Sequence, residues 1–445
     1  MNSELIFLNL AEAWKPTCKE RFKVYTYHQL DKIPQLACLP EEIIFNIKVV
    51  ANVLPFRINE YVCNQLIDWD NWSNDPIFKL TFPDRDMLSK NDFSLVAECL
   101  VKGDKSGLQN EVSRIRANLN PNPAGQMEFN IPQLDGNIIE GTQHKYKETV
   151  LFFPNQGQVC HSYCTFCFRW PQFIGDQNLK FASKDINTLC NYLKQHTEVT
   201  DVLITGGDPM VMKANHLSDY INALLQPGLE HIQTIRIGTK SLTFWPFRYL
   251  TDDDADDVLR IFEKVNKSGK HLALMAHYNH WKELSSDVSA DAIQRVQSTG
   301  AQIRSQGPLL AKINDSAEQW TRLWKTQVKH GIFPYYMFME RDTGASHYFK
   351  VPMYRAWQIY RDAIGQVPGI ARTARGPSMS TEPGKIEIQG VAEINNETVF
   401  VLRFIQARNP EWVQRPFFAK FDETAAWIDD LIPAFGEERF FFEKN

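Results

Sequence analysis

Residues 150–167 read VLFFPNQGQVCHSYCTFC, a short apolar run followed by cysteines at positions 160, 164 and 167. The apolar run at 150–153 is bounded by a Pro-Asn-Gln-Gly turn, which predicts a buried β-strand. The cysteines follow the end of that strand, and barrels of parallel strands place their functional residues at strand C-terminal ends. The stretch therefore predicts the first strand of a parallel sheet with a functional loop at its end.

Downstream, β-rich runs alternate with helical patterns up to residue 339. The predicted strands are residues 150–153, 201–205, 234–237, 271–277, 301–305 and 333–339. The predicted helices between them are residues 184–196, 214–225, 253–267, 290–298 and 317–329. Such alternation predicts parallel strands joined by right-handed crossovers. We therefore predict an α/β fold with a partial (βα)6 barrel over residues 146–350, and a doubly wound open sheet is the alternative.

The regions on either side of this barrel have different patterns. Residues 1–145 predict a helical N-terminal region and linker, and residues 351–445 predict a C-terminal extension that contains β-structure. In the first we predict helices at 40–53, 56–69, 95–101 and 109–119, and a linker rich in Pro, Asn and Gly at 120–141. In the second we predict a helix at 354–364, an irregular stretch at 369–385, and a hairpin of 385–394 with 398–405.

The composition excludes several classes of function. The chain has 445 residues, of which 43% are hydrophobic, so it can bury a large core. A net charge of −5 without a Lys/Arg block predicts no nucleic-acid partner. There is no signal-peptide pattern and no apolar run of about eighteen residues, so we predict a cytoplasmic protein without a membrane segment. Eight cysteines in such a chain predict reduced thiols rather than a disulfide framework.

The three clustered cysteines predict a metal centre. Cys160, Cys164 and Cys167 can each bind one iron of a [4Fe–4S] cube, which leaves the fourth iron open to another ligand. A zinc site is the main alternative, with His161 as a fourth ligand, although zinc usually takes two separated ligand pairs. Chance clustering of buried cysteines is the remaining alternative.

Other candidate residues follow later strands of the same predicted sheet. Gly206, Gly207 and Asp208 follow the second strand, and glycines allow the backbone to approach a ligand closely. His277 ends the fourth strand, and Gln306 follows the fifth. Because the C-terminal ends of parallel strands share one rim, we expect these residues to lie near the cysteine loop.

The cysteine spacing CxxxCxxC, with an aromatic residue before the last cysteine, resembles the signature of the radical S-adenosylmethionine (SAM) superfamily. The resemblance implies that Cys160, Cys164 and Cys167 hold the cluster. It also implies that the open iron binds SAM and that Phe166 lies near the adenine. The Gly206-Gly207-Asp208 segment resembles the element that contacts the SAM amino group in that superfamily.

The order of motifs resembles the lysine 2,3-aminomutase family over most of the chain, from about residue 39 to residue 405. The matching segments are CFR at 167–169, DVLITGGDP at 201–209, TIRIGT at 234–239, HYNH at 277–280 and YY at 335–336. Family members use pyridoxal phosphate (PLP) as well as SAM, and bind PLP covalently through a lysine in a glycine-rich turn. The resemblance implies that Lys385, in the sequence EPGKI, is this lysine.

The chain departs from the family where substrate would be recognised. By ungapped matching, the acidic residues that recognise lysine correspond to Arg341 and Ser378, and Asp342 lies one residue from the first. The arginine that binds the substrate carboxylate corresponds to Thr149, and a glutamine at the PLP phosphate corresponds to Met339. A buried substrate ammonium without its carboxylate is strongly disfavoured, so L-lysine is not the expected substrate.

Arginines suggest an anionic substrate group instead. Arg341, Arg372 and Arg375 are the candidates, because guanidinium groups prefer carboxylate or phosphate. We therefore predict a radical SAM isomerase that generates a 5′-deoxyadenosyl radical for 1,2-amino migration on an amino acid, with PLP as second cofactor. The expected partners are a small amino acid, an electron donor such as flavodoxin or ferredoxin, and a second copy of the chain. The alternatives are a PLP-independent radical SAM enzyme that acts on another amino acid or a peptide, and a non-catalytic iron–sulfur or zinc scaffold.

Overall fold

A computed structural model describes residues 20–122 and 127–443. The first part of the chain is mainly helical, and its buried side chains form one cluster with residues of the later part, among them Phe166, Trp245 and Phe349. Its α-helices are Glu41–Val53, Pro76–Thr81, Lys90–Lys102 and Lys105–Leu119. Three of the four helices predicted here are present, and part of the predicted linker, at 123–126, lies outside the described residues.

The predicted helix at 56–69 is wrong. Strand β1 (Val24–Thr26) instead pairs antiparallel with β2 (Arg57–Asn59), and a short π-helical turn, Val62–Leu66, follows. Phe56 and Ile58 are buried, so the apolar residues alternate here as in a strand. The predicted linker contains a small hairpin, formed by β3 (Gln133–Leu134) and β4 (Asn137–Ile138).

The rest of the chain forms one sheet of eleven strands, each paired with its neighbours in sequence. The strands are β5 (Thr142–Tyr146), β6 (Thr149–Phe152), β7 (Asp201–Ile204), β8 (Thr234–Thr239), β9 (His271–His277), β10 (Gln302–Leu309), β11 (Phe333–Met339), β12 (Arg375–Ser380), β13 (Gly384–Ile394), β14 (Glu397–Ala407) and β15 (Pro416–Lys420). Strands β6 to β12 are parallel, and the others pair antiparallel. The fold is therefore mixed α/β, as predicted.

The six predicted parallel strands are β6 to β11, and their connecting helices are also where the sequence places them. The helices of this region are Ile186–Gln195, Ala214–Leu224, Ser241–Phe244, Ala255–Lys267, Asp287–Ser298, Ala317–Lys329, Ser346–Phe349 and Met353–Gly365. The strands bury Val, Ile and Leu side chains against these helices in one continuous core. No helix among the described residues is long and apolar enough to cross a membrane.

The predicted irregular stretch at 369–385 is wrong, because it contains β12. The strand reads RGPSMS, and its Gly and Pro are typical of turns. Gly376 has a φ of +145°, and a side chain there would collide with the carbonyl oxygen of Met337 on β11. The parallel sheet thus runs past residue 350, and the domain boundaries at 145 and 350 stay predictions.

The terminal hairpin is where the sequence predicts it. Strands β13 and β14 are joined by Asn395 and Asn396, whose φ angles of 53° and 63° are those of a tight hairpin turn. Lys145 on β5 donates a hydrogen bond from Nζ to the carbonyl oxygen of Thr381, directly after β12. Six strands separate β5 from β12 in the sheet order, yet this hydrogen bond connects β5 to the residue that follows β12.

Candidate functional site

The cysteine loop is held by backbone bonds to the N-terminal region. The amide of Tyr163 donates to the carbonyl of Arg57 over 2.8 Å, and the amide of Thr165 donates to that of Leu80 over 2.9 Å. The Thr165 hydroxyl also donates to the carbonyl of Lys79, over 2.7 Å. Backbone carbonyls of β2 and of the helix Pro76–Thr81 therefore fix the path of the loop between its first and last cysteines.

The Asn59 side chain links the cysteine loop to the N-terminal region and to the helix Ser241–Phe244. It is fully buried. Its Nδ2 donates to the carbonyl oxygens of His161, over 3.3 Å, and Phe244, over 2.7 Å, and its Oδ1 accepts from the amide of Val62 over 3.0 Å. Its backbone amide also donates to the Ser162 hydroxyl. Asn59 has no sequence signal of this role, because it lies in the segment 56–69, whose pattern predicts a helix.

The three thiols of the loop are free and half-buried. Burial raises the pKa of Cys160 and Cys164 well above the usual thiol range, and raises that of Cys167 to about 11. The charges of Cys164 and Cys167 act on Cys160, so the three lie within electrostatic range of one another. Within 20–122 and 127–443, no three His, Cys, Asp or Glu side chains are arranged to hold one metal ion.

The glycines after β7 lie directly against the entry to the cysteine loop. A side chain at Gly206 would collide with the Gln158 amide group, and one at Gly207 would come within 2.7 Å of the backbone nitrogen of Val159. The sequence predicts that these glycines let the backbone approach a ligand. In the structure they let it approach the start of the cysteine loop. This approach brings the ends of β6 and β7 together.

Asp208 is buried, and its carboxylate accepts hydrogen bonds from protein groups. It accepts from the amide of Met210 over 2.9 Å, the hydroxyl of Thr239 over 2.7 Å and the amide of Lys240 over 2.9 Å. His161 Nδ1 lies 3.9 Å from the Asp208 Oδ2 and has no hydrogen-bond partner among the described residues. Asp208 thus connects the end of β7 to the end of β8, beneath the loop.

Phe166 and His277 are brought together. Their rings stack with centroids 5.8 Å apart and planes 20° apart, and Phe349 contacts the edge of Phe166. Burial lowers the pKa of His277 to about 3, and its Nδ1 has no partner in the part of the chain described. Gln306 pairs with His277 in the register of β9 and β10, so these predicted residues share one rim.

The half-buried Lys240 fixes the segment after β9. Lys240 Nζ donates to the carbonyl oxygen of His277, over 3.1 Å, and to Oδ1 of Asn279, over 3.0 Å, and pairs with the fully buried Glu283. The Glu283 carboxylate also accepts from the amide of His280 over 2.9 Å. The HYNH segment is therefore held by a buried ion pair, which orients the His277 backbone.

Lys385 lies across the same sheet, on β13. Its Nζ is 4.0 Å from the ring centroid of Tyr336 and 5.1 Å from that of Phe338. No described carboxylate forms an ion pair with it. Burial, together with the nearby charge of Arg375, lowers the pKa of Lys385 to about 7. At neutral pH a substantial fraction of this amine is therefore uncharged and nucleophilic.

Arg375 belongs to the surroundings of Lys385. Its guanidinium lies 4.5 Å from the ring centroid of Tyr335 and 4.4 Å from that of Tyr336. The Tyr336 hydroxyl is buried without a hydrogen-bond partner in the described part of the chain. Arg372, in contrast, is exposed and donates to the carbonyl of Val367, before β12 begins. The structure therefore does not bring Arg372 to this rim.

Arg341 and Asp342 point in different directions. Arg341 is half-buried, with its guanidinium 5.1 Å from the ring centroid of Phe168, and its buried Nε has no described partner. Asp342 is exposed and accepts from Asn122 over 2.9 Å. Glu340, which the sequence analysis did not select, is half-buried, and burial raises its pKa well above the usual range.

These residues lie in the region that known relatives share with the chain. No family model matches the sequence. It is 32% identical over 400 residues to a protein named "Putative L-lysine 2,3-aminomutase" from Aquifex aeolicus, spanning 90% of this chain and 93% of the relative. It is 24% identical over 386 residues to L-lysine 2,3-aminomutase of Bacillus subtilis, spanning 85% and 71%.

Among solved structures, the match to Streptococcus suis SuiB bound to S-adenosylmethionine has a TM-score of 0.35 and 14% identity. It covers 71% of this chain and 66% of that one. This likeness is remote and supports no functional statement. The relationship to the Aquifex protein is close enough and long enough to decide the family. The chain belongs to the lysine 2,3-aminomutase family of radical SAM enzymes.

Proposed function

We propose that this protein is a radical SAM aminomutase that moves an amino group between adjacent carbons of an amino acid, with PLP as second cofactor. The observation that carries the proposal is the cysteine loop, with three free thiols held over the ends of β6 and β7 by the N-terminal region. Thiolates are the usual ligands of a [4Fe–4S] cluster. A cluster binds each thiolate through a different iron, so it does not require the compact ligand set of a single ion.

The rim residues have roles in binding SAM. The stacked Phe166 and His277 rings offer an apolar face to an adenine, and the unpartnered Nδ1 of His277 is available for a hydrogen bond. Gln306, next to His277 in the sheet, presents an amide at the same rim. Gly206, Gly207 and Asp208 act mainly by fixing the approach of the cysteine loop to the end of β7.

Lys385 is the proposed site of PLP attachment. Its amine lies over two aromatic rings, has no described carboxylate partner and has a pKa near neutrality. Arg375 keeps the charged form of the amine unfavourable, and its guanidinium suits a phosphate or carboxylate. When bound, SAM supplies a hydrogen-abstracting radical and PLP supplies electron delocalisation for the migrating amino group. The protein contributes orientation and exclusion of water.

We also propose that the parallel strands curve into a partial barrel. Neighbouring strands lie about 4.8 Å apart, so a flat sheet would separate β5 from β12 by roughly 34 Å. The hydrogen bond from Lys145 to Thr381 supports strong curvature of the sheet. The charge of Arg236, which lies on β8, also lowers the pKa of Lys385, which lies on β13, so these two distant strands approach each other.

The expected substrate is a small amino acid, and the expected electron source is an external one-electron donor. A cytoplasmic location and a homo-oligomer stay predictions.

The cluster is tested by replacing all three cysteines with alanine and reconstituting the protein anaerobically with iron and sulfide. We expect the variant to lose bound iron and the formation of 5′-deoxyadenosine from SAM after reduction. Cys38→Ala is the matched control. Cys38 is exposed, and its thiol donates a hydrogen bond to the carbonyl oxygen of Gln35, outside the cysteine loop. Equal iron content in the triple variant and the control would refute the proposal.

A further inference from the structure

The turn between β12 and β13 leads into Lys385, and side chains from three parts of the sheet hold it. We propose that Thr381 is a positioning residue for Lys385, which closes this turn so that the lysine amine lies over the aromatic rings of β11. Lys145, on β5, and Arg408, directly after β14, hold the same turn from outside. The inference rests on the proposed function, because it concerns how the site of PLP attachment is built.

Thr381 is buried, and each of its polar groups makes a hydrogen bond. Its backbone amide and its hydroxyl each donate to the carbonyl oxygen of Gly384 over 2.9 Å. Its own carbonyl oxygen accepts from Nζ of Lys145. Ser380 pairs with Lys385 in the register of β12 and β13, so the bonds of Thr381 close the loop 381–384 directly before the lysine.

Arg408 holds the tip of the turn. Its backbone amide donates to the carbonyl oxygen of Pro383 over 3.0 Å. Its Nε lies 3.0 Å from the carbonyl oxygen of Glu382 and 2.9 Å from Oε1 of the same residue. The side chains of this ion pair are 34% and 61% exposed, and exposed ion pairs contribute little to stability. The contacts of Arg408 with the turn carbonyls are therefore the ones that fix the backbone, and its effect should be smaller than that of the buried Thr381.

The neighbouring strand β14 leaves the turn little room to move. A side chain at Gly384 would collide with the carbonyl oxygen of Gln406. The pairing of β13 with β14 also shifts between Lys385 and Ile386. Such irregularities redirect the side chains beside them and are common next to active sites. The closed turn on one side and the shifted pairing on the other therefore both set the direction of the Lys385 side chain.

The surroundings of the amine depend on this direction. Lys385 Nζ contacts the rings of Tyr336 and Phe338 on β11, so the side chain reaches across β12. Burial is the main cause that lowers its pKa from 10.5 to about 7. A turn that opened would let water reach the amine, and a hydrated amine returns toward the usual pKa of lysine. Thr381 therefore keeps the amine reactive at neutral pH by keeping it away from water.

The test is the pH dependence of acetylation of Lys385 by trace acetic anhydride, measured by peptide mapping of the reconstituted protein without PLP. A lysine amine reacts only when deprotonated, so the midpoint of the profile reports its pKa. We expect a wild-type midpoint near 7, and a midpoint about one pH unit higher in Thr381→Val, which lacks the hydroxyl donor. Thr381→Ser keeps the donor and should have the wild-type midpoint. Thr326→Val is the matched control, because it removes a hydroxyl donor from the helix Ala317–Lys329.

Arg408→Ala provides a second variant if Thr381→Val does not fold. It removes the contacts of Nε with Glu382 but keeps the backbone bond to Pro383, so we expect a shift in the same direction of about half a pH unit. An unchanged midpoint in the variant that folds would overturn the inference, as would equal shifts in Thr381→Val and Thr381→Ser. A wild-type midpoint near 10.5 would also overturn it, because the amine would then not be held away from water.

Capture of PLP is measured separately, by borohydride reduction of the wild-type protein. Absence of a pyridoxyl group on Lys385 would refute the proposed function. The acetylation profiles do not involve PLP, so they would still decide whether Thr381 positions the amine.

Discussion

The cysteine loop and the Lys385 turn are two parts of the proposed site, and the chain encodes them in opposite ways. The loop has a distinctive spacing, but its position depends on residues about a hundred positions earlier, chiefly Asn59. The turn has a weak motif, but its surroundings are distinctive, with two aromatic rings and Arg375 around one amine. A local pattern thus identifies metal-binding chemistry, whereas a nucleophilic lysine is recognised by its environment.

The largest effect expected for the turn comes from Lys385→Met. The variant keeps the length and apolar stem of the side chain but has no amine. After incubation with PLP and reduction with borohydride, the wild type should carry a pyridoxyl group on Lys385 by peptide mapping, and the variant should carry none. Labelling of another lysine, such as Lys145, would move the PLP site. No labelling in the wild type would favour a PLP-independent radical SAM enzyme.

The loop is expected to depend on its remote support. Asn59→Ala removes three side-chain hydrogen bonds, including the one to the His161 carbonyl. Loss of such indirect support typically costs roughly 10- to 100-fold in metal affinity. We therefore expect iron to be released to a chelator correspondingly more readily. Asn74→Ala is the control, because Asn74 is exposed and its side-chain and backbone N–H groups both donate to Asn71 in the same turn. Equal iron retention in both variants would contradict the account.

A smaller effect is expected for Arg375→Gln, which tests the electrostatics of the turn. Since the wild-type Lys385 pKa is about 7, the rate of PLP capture should rise with pH up to that value and level off above it. Removing the Arg375 charge should raise the Lys385 pKa, so the midpoint should move upward by about one unit. The measurement is the borohydride-trapped fraction against pH. A wild-type rate that rises steadily to pH 10 would contradict the proposed burial of the amine.

The parallel core could be predicted from the sequence because strand and helix periods alternate there without interruption. The ends of β9 and β11 were predicted to the residue, since apolar runs stop at His277 and Met339. Strand β12 was missed because Gly376 and Pro377 resemble a turn. The strand tolerates them because neighbouring β11 approaches Gly376 too closely for a side chain.

The site was predictable only in part. Sequence spacing selected Cys160, Cys164 and Cys167, but it gave no reason to select Asn59 or Lys145, whose contacts cross more than a hundred residues. It grouped Arg372 with Arg375, although one side chain is exposed before β12 and the other packs on two tyrosines. The direction of a side chain depends on long-range tertiary contacts, which local sequence patterns do not specify.

We propose that the cysteine loop and the Lys385 turn serve one reaction. The most direct measurement is the mass of 5′-deoxyadenosine formed by the reduced, reconstituted protein with SAM, PLP and a mixture of perdeuterated L-amino acids. We expect deuterium in the product, because a radical formed at the loop takes hydrogen from an amino acid held at the turn. Formation of 5′-deoxyadenosine without deuterium, from a protein with full iron content, would contradict it.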